Sequence, residues 1–396
     1  MKQSWLQKIT FVMIVFGILL SPCFGDEKEQ ADRWVIGKSV KIHSKILAEE
    51  RPLWVYLPTG YSESEEQYPV FYLLDGKVNF HHISGIVEIL GYYRHIPRMI
   101  VVAVENTDRE RDFLPFKTED DWPPTAGADK FRAFLKKELI PFVEKNYRTF
   151  PYRILCGHSF GAVFCFDVFL KEPGLFTAYI AAAASISLNN RLLLRQTKSK
   201  IKHLSPAKTS LFFTISKDDG ESIDACKDLA RYLEKNAPKE LSWRFDYMET
   251  EDHVSVLHPT VFNALRWLHR DWRLPETTAE KMSLDDIKAH YRQLSERYGS
   301  KILVPEGMLI EVGYGLIEAK KFARAIEAFK YYVEIYPDSA IGHVCLGEAY
   351  EEGGKFELAK KYYEISLKMA IKNKDNQALP VGRGLLKRLL KKMEDK

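Results

Sequence analysis

The stretch Arg153-Ile154-Leu155-Cys156-Gly157-His158-Ser159-Phe160-Gly161-Ala162-Val163-Phe164 decides how this chain is read. A short strand-forming run enters a Gly-x-Ser-x-Gly turn, and the turn opens at once into an apolar, helix-forming run. In that strand–turn–helix context the two glycines let the backbone turn sharply beside neighbouring segments. The serine hydroxyl is lifted above the sheet, close to the positive end of the following helix. Ser159 is therefore the predicted nucleophile, and the turn predicts a sheet of parallel strands around it.

Outward from the turn, two periodicities alternate. Runs rich in β-branched and aromatic residues lie at 39–47, 53–57, 69–74, 99–104, 153–156, 178–183, 211–215 and 243–248, and helical patterns at 80–93, 129–147, 160–171, 222–235 and 257–271. Strands alternating with helices imply a mostly parallel sheet covered on both faces. The first two runs, joined by the charged Glu49-Glu50-Arg51, read as an antiparallel hairpin on its edge.

A serine hydroxyl needs a base, and the base needs an orienting carboxylate, expected downstream in the order serine, acid, histidine. The acid belongs just past the run at 211–215, where Asp218, Asp219 and Glu221 lie. The histidine belongs in the loop after the next strand, which holds His253, with His258 in reserve; His269 reads as a surface residue of the helix that follows. His81 and His82 are adjacent in sequence, no His-Glu-x-x-His spacing occurs, and neither a metal nor a cofactor is expected.

After a polar break at Leu274-Pro275-Glu276-Thr277-Thr278 the chain reads as purely helical. Positions 34 apart match: Val312 with Leu346, Gly313 with Gly347, Glu318 with Glu352, Lys321 with Lys355, Phe322 with Phe356, Ala325 with Ala359 and Phe329 with Tyr363. These residue types resemble a tetratricopeptide repeat, with units at 306–339 and 340–373 preceded by a helix at 283–298. The resemblance implies a protein partner, or self-association, through this region. Two units fall short of the roughly three that stacked repeats need, so the upstream helix and the basic tail are expected to cap the array or dock it on the α/β body.

The ends and the overall charge bound the rest. Lys2 and Lys8 precede an apolar run at 9–20, short of the roughly 18 to 20 residues that span a bilayer, so residues 1–25 read as a cleaved export signal. An uncleaved anchor or a lipoprotein at Cys23 are the alternatives. Export to the periplasm or exterior permits disulfides, yet Cys156, Cys165, Cys226 and Cys345 lack a framework spacing and read as buried thiols. The net charge of +4 equals the excess of six basic over two acidic residues within 382–396. A neutral body gives nucleic acid no basic footprint, and nucleic acid is not an expected partner. The predicted organisation is a leader at 1–25, an α/β domain at 34–273, a linker at 274–282 and a helical region at 283–396.

Beyond the turn, the runs Arg51-Pro52-Leu53-Trp54-Val55-Tyr56-Leu57-Pro58 and Tyr68-Pro69-Val70-Phe71-Tyr72-Leu73-Leu74-Asp75-Gly76 resemble the α/β-hydrolase esterases related to enterochelin esterases and S-formylglutathione hydrolases. The resemblance spans 39–271. It implies an α/β-hydrolase fold, an oxyanion hole from the amides of Gly76 or Lys77 together with Phe160, and Asp219 as the acid. Ala162, Ser216 and Val254 depart from the family's glycines and small residue. The segment 106–129 reads as a pocket rim, with Arg109 and Trp122 as substrate contacts and Arg111 as a further anion contact. The expected activity is serine esterase action on a small-molecule ester, siderophore lactones among the candidates. The alternative is an idle hydrolase scaffold serving as an interaction module, which would have no need of serine, acid and histidine in order.

Overall fold

The computed structural model describes residues 35–117, 126–203, 209–274 and 282–395. The chain divides into two units, Met1–Ile36 and Gly37–Lys396, and every element below lies in the second. Strands β1 (Lys38–Ser44) and β2 (Glu49–Tyr56) precede β3 (Tyr68–Leu73), α1 (Gly76–Tyr92), β4 (Ile100–Val104) and the short α2 (Arg109–Phe113). Next come α3 (Ala128–Phe134), a π-helical segment (Leu135–Leu139), α4 (Ile140–Asn146), β5 (Thr149–His158), α5 (Phe160–Lys171), β6 (Ala178–Ala182) and α6 (Leu188–Lys200). Then β7 (Ser210–Ser216), α7 (Glu221–Asn236), β8 (Ser242–Met248) and α8 (Leu257–Leu268) complete the α/β body.

The eight strands form one sheet in the order β1-β2-β4-β3-β5-β6-β7-β8. The β1/β2 and β2/β4 pairs are antiparallel and the other pairs parallel. β3, β4 and β6 are buried along their whole length, as continuous apolar runs must be when helices cover both faces. All eight expected strands and all five expected helices are present. The helix expected at 129–147 is broken by its π-helical segment, just before a proline in the first turn of α4. A proline there has no N–H to continue the regular ladder. α6 went unrecognised because its buried face is thin: Leu193, Leu194 and Thr197 only, among polar neighbours. Cys156, Cys165, Cys226 and Cys345 are buried free thiols.

The all-helical region comprises α9 (Leu284–Tyr298), α10 (Glu306–Glu318), α11 (Phe322–Ile335), α12 (Ala340–Glu352), α13 (Phe356–Lys372) and α14 (Ala378–Glu394). Ser283 and Asp286 close a capping box at the start of α9. The pair α10/α11 recurs as α12/α13 with both starts displaced by 34 residues. The period marks a contact: a Cβ at Gly313 would strike the Phe329 ring, and one at Gly347 would lie 2.5 Å from the Tyr363 ring. α14 is pinned through Glu351, which accepts from Tyr363 Oη (3.0 Å) and pairs with Arg388 (3.2 Å) and Lys392 (3.3 Å).

α9 packs on the α/β body. Tyr298 is buried with its ring 4.6 Å from Tyr152 and 5.2 Å from Trp272, and its hydroxyl lies 2.5 Å from His269 Nδ1. His269 is therefore not the surface residue that its place in an amphipathic pattern predicts; it is 1% exposed, and burial pushes its pKa down to about 3. The amphipathic pattern of α8 could not reveal that a helix from beyond the linker covers its far end. Among the described residues no helix is long and apolar enough to cross a membrane.

Candidate active site

The elbow forms where β5 hands over to α5. Ser159 sits between them at φ 57°, ψ −115°, a strained geometry for a residue with a side chain. A Cβ at Gly157 would collide with the backbone of Gly161, so this turn can close only on glycine. The Ser159 N–H donates to the Ala182 carbonyl (2.9 Å), and the Ser159 carbonyl accepts from Ala162 (2.9 Å) and Val163 (3.1 Å) as the first bonds of α5. The amides of Phe160 and Gly161 precede those bonds and have no partner within the helix.

The residues expected as acid and base follow β7 and β8. Asp219, in the turn after β7, uses both carboxylate oxygens: Oδ1 accepts from His253 Nδ1 at 2.5 Å, and Oδ2 accepts from the Ser216 N–H (2.7 Å) and Oγ (2.5 Å). Ser216 thus supplies two donors, its amide and its hydroxyl, to one carboxylate oxygen. Asp218 is exposed. Burial pushes the Asp219 carboxyl up, but the bonds from His253 and Ser216 outweigh it and hold it below the usual carboxylate range. The Asp219 bond raises the His253 imidazole above its ordinary value against partial burial. The loop carrying His253 is shaped by the Asp252 carboxylate, which accepts from the amides of Val254 (2.9 Å) and Ser255 (2.7 Å). It is tied to the elbow by His158, whose Nε2 donates to the His253 carbonyl at 2.6 Å with the two ring centres 4.8 Å apart.

A third backbone segment converges on the elbow. Asp75, at φ 54°, leads into α1, and the first bond of that helix runs from Asn79 N–H to the Asp75 carbonyl (3.3 Å), leaving the amides of Gly76 and Lys77 without helical partners. A Cβ at Gly76 would fall 2.8 Å from the backbone of Ala103, so glycine is required where α1 starts against β4. The Asp75 carboxylate accepts from Arg109 Nε (2.7 Å), Arg109 Nη2 (3.2 Å) and Asn106 Nδ2. Arg109 Nη2 also donates to the His158 carbonyl (2.9 Å).

Arg109, read from sequence as a substrate contact, is thus a strut between the Gly76 segment and the elbow, its guanidinium 5.2 Å from the Phe160 ring centre. Arg111 is engaged with Glu49 (3.0 Å) and Asp112 (2.7 Å). Trp122 lies outside the described residues. The Lys77 side chain is exposed, 3.6 Å from Glu105, so any part it takes in the site is through its amide. The reserve base His258 is stacked on His82, Nδ1 to Nδ1 at 3.2 Å, and has a histidine where a catalytic base has a carboxylate. No group of three or more His, Cys, Asp or Glu among the described residues could hold a metal ion.

Residues 44–228 match the family described as "Putative esterase". The uncharacterised protein YjcH of Bacillus subtilis is 31% identical over 170 residues, 42% of this chain and 68% of that protein. The chain belongs to this esterase family. It is a carboxylic ester hydrolase. The ferri-bacillibactin esterase BesA of Bacillus subtilis is 29% identical to this esterase over 231 residues, 52% of this chain and 80% of that protein. The crystal structure of an IroE-like serine hydrolase from Shewanella oneidensis superposes with a TM-score of 0.64 at 29% identity, covering 74% of this chain and 96% of that one.

Four residues of the site carried no assignment from sequence: Asp75, Asn106, His158 and Ser216. His158 and Ser216 sat in view, one inside the Gly-x-Ser-x-Gly turn and the other three residues before Asp219. A polar side chain at a strand end beside a catalytic motif was the available signal. Asp75 and Asn106 gave none, since their bond joins segments 31 residues apart.

Proposed function

We propose that this esterase is a serine hydrolase working through an acyl-enzyme, with Ser159 as nucleophile, His253 as general base and then acid, and Asp219 as the residue that orients and stabilises the imidazolium. The observation that carries the reading is the Asp219–His253 pair, 2.5 Å apart, held beside the elbow by the His158 bond to the same histidine. Ser159 adds its oxygen to the ester carbonyl as His253 Nε2 takes its proton. The tetrahedral oxyanion is received by the amide of Phe160 and an amide from Gly76 or Lys77, donors already in place before the charge develops. His253 returns the proton to the departing alcohol, and water repeats the sequence to release the acid.

Siderophore-type esters are the substrate class favoured by the relatives: the name of BesA states ferri-bacillibactin esterase activity for that protein. The 34-residue helix pairs are, in this proposal, tetratricopeptide-type units that bind a protein partner or a second copy, so that residues 283–396 are an interaction region appended to a catalytic body at 34–273. Export rests on the leader-like pattern of residues 1–25, which lie outside the described residues. Labelling with a fluorophosphonate, followed by turnover of a trilactone siderophore beside simple aryl esters, tests mechanism and substrate separately. Labelling that survives Ser159→Ala removes the nucleophile assignment. Aryl ester turnover with an untouched trilactone removes the siderophore reading alone.

A further inference from the structure

A run of hydrogen bonds joins the three loops of the site. The Asp75 carboxylate accepts from Arg109, Arg109 Nη2 donates to the His158 carbonyl, His158 Nε2 donates to the His253 carbonyl, and His253 Nδ1 donates to Asp219. His158 stands at the centre of this run, adjacent in sequence to Ser159, and the mechanism above gives its side chain no part in bond making or proton transfer. We propose that His158 is a positioning residue for ester hydrolysis: its Nε2–H bond to the His253 main chain sets the base loop in register with the nucleophile. The inference rests on the serine mechanism proposed above.

The chemistry of the bond restricts the state of His158. A carbonyl oxygen only accepts, so Nε2 must carry the hydrogen. Burial holds the imidazole below the usual histidine range, against the bond to the His253 carbonyl that favours its charged form. The charged and titratable groups facing it are His253, Asp75 and Arg109. Neutral His158 with its hydrogen on Nε2 is also what the reaction needs, because His253 becomes a cation during turnover and a second cation with its ring centre 4.8 Å away would oppose it.

Among the described residues the His158 bond is the hydrogen bond that joins the base loop to the elbow. Val254, directly after the base, is 80% exposed, and Ser255 is exposed as well. The Asp252 bonds are internal to the loop, and the bond from Lys217 N–H to the Glu251 carbonyl (3.3 Å) ties it to the Asp219 turn. The Asp219 turn is carried by β7 and the far end of the base loop by the buried Val256, so the His158 bond sets the loop at the His253 main chain itself, next to Ser159. A shift of about 1 Å in such an arrangement costs up to about a hundredfold in rate.

The test uses the full-length enzyme on a soluble aryl ester, with turnover expressed per active site titrated by fluorophosphonate. His158→Phe keeps a ring and removes the donor; His158→Gln keeps a side-chain N–H. The Phe variant is expected to lose about 10- to 100-fold in kcat with KM within about threefold of wild type. Its acid limb should stay where it is, because the Asp219–His253 bond survives. The Gln variant should recover kcat to within about tenfold of wild type. A Phe variant within twofold of wild type in kcat overturns the proposal, and so does a Gln variant more than about tenfold slow with a native melt; the Gln variant decides alone if the Phe variant does not fold. Wild-type enzyme that takes no fluorophosphonate and turns over no ester removes the serine mechanism, and the role of His158 with it.

Discussion

The α/β body and the helical region use glycine and hydrogen-bonded carboxylates in opposite ways. In the body, a Cβ at Gly76 or Gly157 would run into backbone, so these glycines bring main chain against main chain where the amides of Gly76, Lys77 and Phe160 emerge. In the helical region, Gly313 and Gly347 face the rings of Phe329 and Tyr363, so each receives a side-chain knob between paired helices. The carboxylates divide likewise. Asp75 and Asp219 are each held by several donors at the ends of strands, where they orient groups at the elbow. Glu306, Glu348 and Glu351 accept from Tyr332, Tyr314 and Tyr363, bonds that join helix to helix. Polar groups satisfied within the packing build shape; polar groups gathered at strand ends around an open elbow build chemistry.

The sharpest way to break this division is at the nucleophile. Ser159→Ala should lower ester turnover by about 10⁵-fold or more with an unchanged melt. A well-folded variant that retains turnover would place the chemistry elsewhere. Asp219→Asn should cost about 10⁴-fold in kcat, because the amide cannot hold His253 in the right tautomer. Asp218→Asn, at an exposed neighbour, should stay within about twofold. The pH profile sharpens the same point. His253 is raised above the ordinary 6.5 by the Asp219 bond, so wild-type activity should fall as pH drops through a value above 6.5, and Asp219→Asn should move that limb to lower pH.

The joint between the regions comes next. Read from sequence, the helix after the polar linker either caps the repeats or docks them on the body, and Tyr298 of α9 is buried against Tyr152 and His269 of the body. Tyr298→Ala should destabilise the protein by about 3 to 5 kcal/mol, seen in a urea or thermal melt. A single lowered transition would mean that the two parts melt together, and an early second transition that α9 alone detaches. Gly347→Ala should cost about 1 to 3 kcal/mol by overpacking against the Tyr363 ring, with turnover per active site unchanged. If that substitution slowed ester hydrolysis, the helical region would be shaping the site.

The last effect is on acid stability, and near neutral pH it is silent. His269 is neutral in the folded protein with a pKa near 3, while in the unfolded chain it returns to about 6.5. Between those values the unfolded state binds the extra proton, so this stabilisation is whole above pH 6.5 and is lost progressively as pH falls toward 3. The melt should therefore decline with acidification over that window less steeply in His269→Phe than in wild type, and parallel declines would show that this histidine is not the group responsible.

Much of this was legible before any coordinates. The alternation of strand and helix periodicities located eight strands and the five main helices of the body, since burial on both faces demands continuous apolar runs and burial on one demands a stripe. The Gly-x-Ser-x-Gly turn pointed to an elbow at Ser159, which the fold forms, the loop after the last strand pointed to His253, which lies bonded to Asp219, and the 34-residue period marked contacts between a small residue and an aromatic one. What sequence periodicity reports is the local environment of each residue along its own element. Contacts between elements are decided by topology and by single dihedral angles. Asp218 and Asp219 are equivalent in sequence, and only the turn after β7 faces one of them toward His253. Arg109 looks like a pocket residue until the sheet brings Asp75 and the His158 carbonyl beside it, 34 and 49 positions away. His269 has the pattern of a surface histidine because the helix that buries it begins beyond the linker, and His158 acquires a partner 95 residues downstream only when β5 and the loop after β8 end on the same side of the sheet.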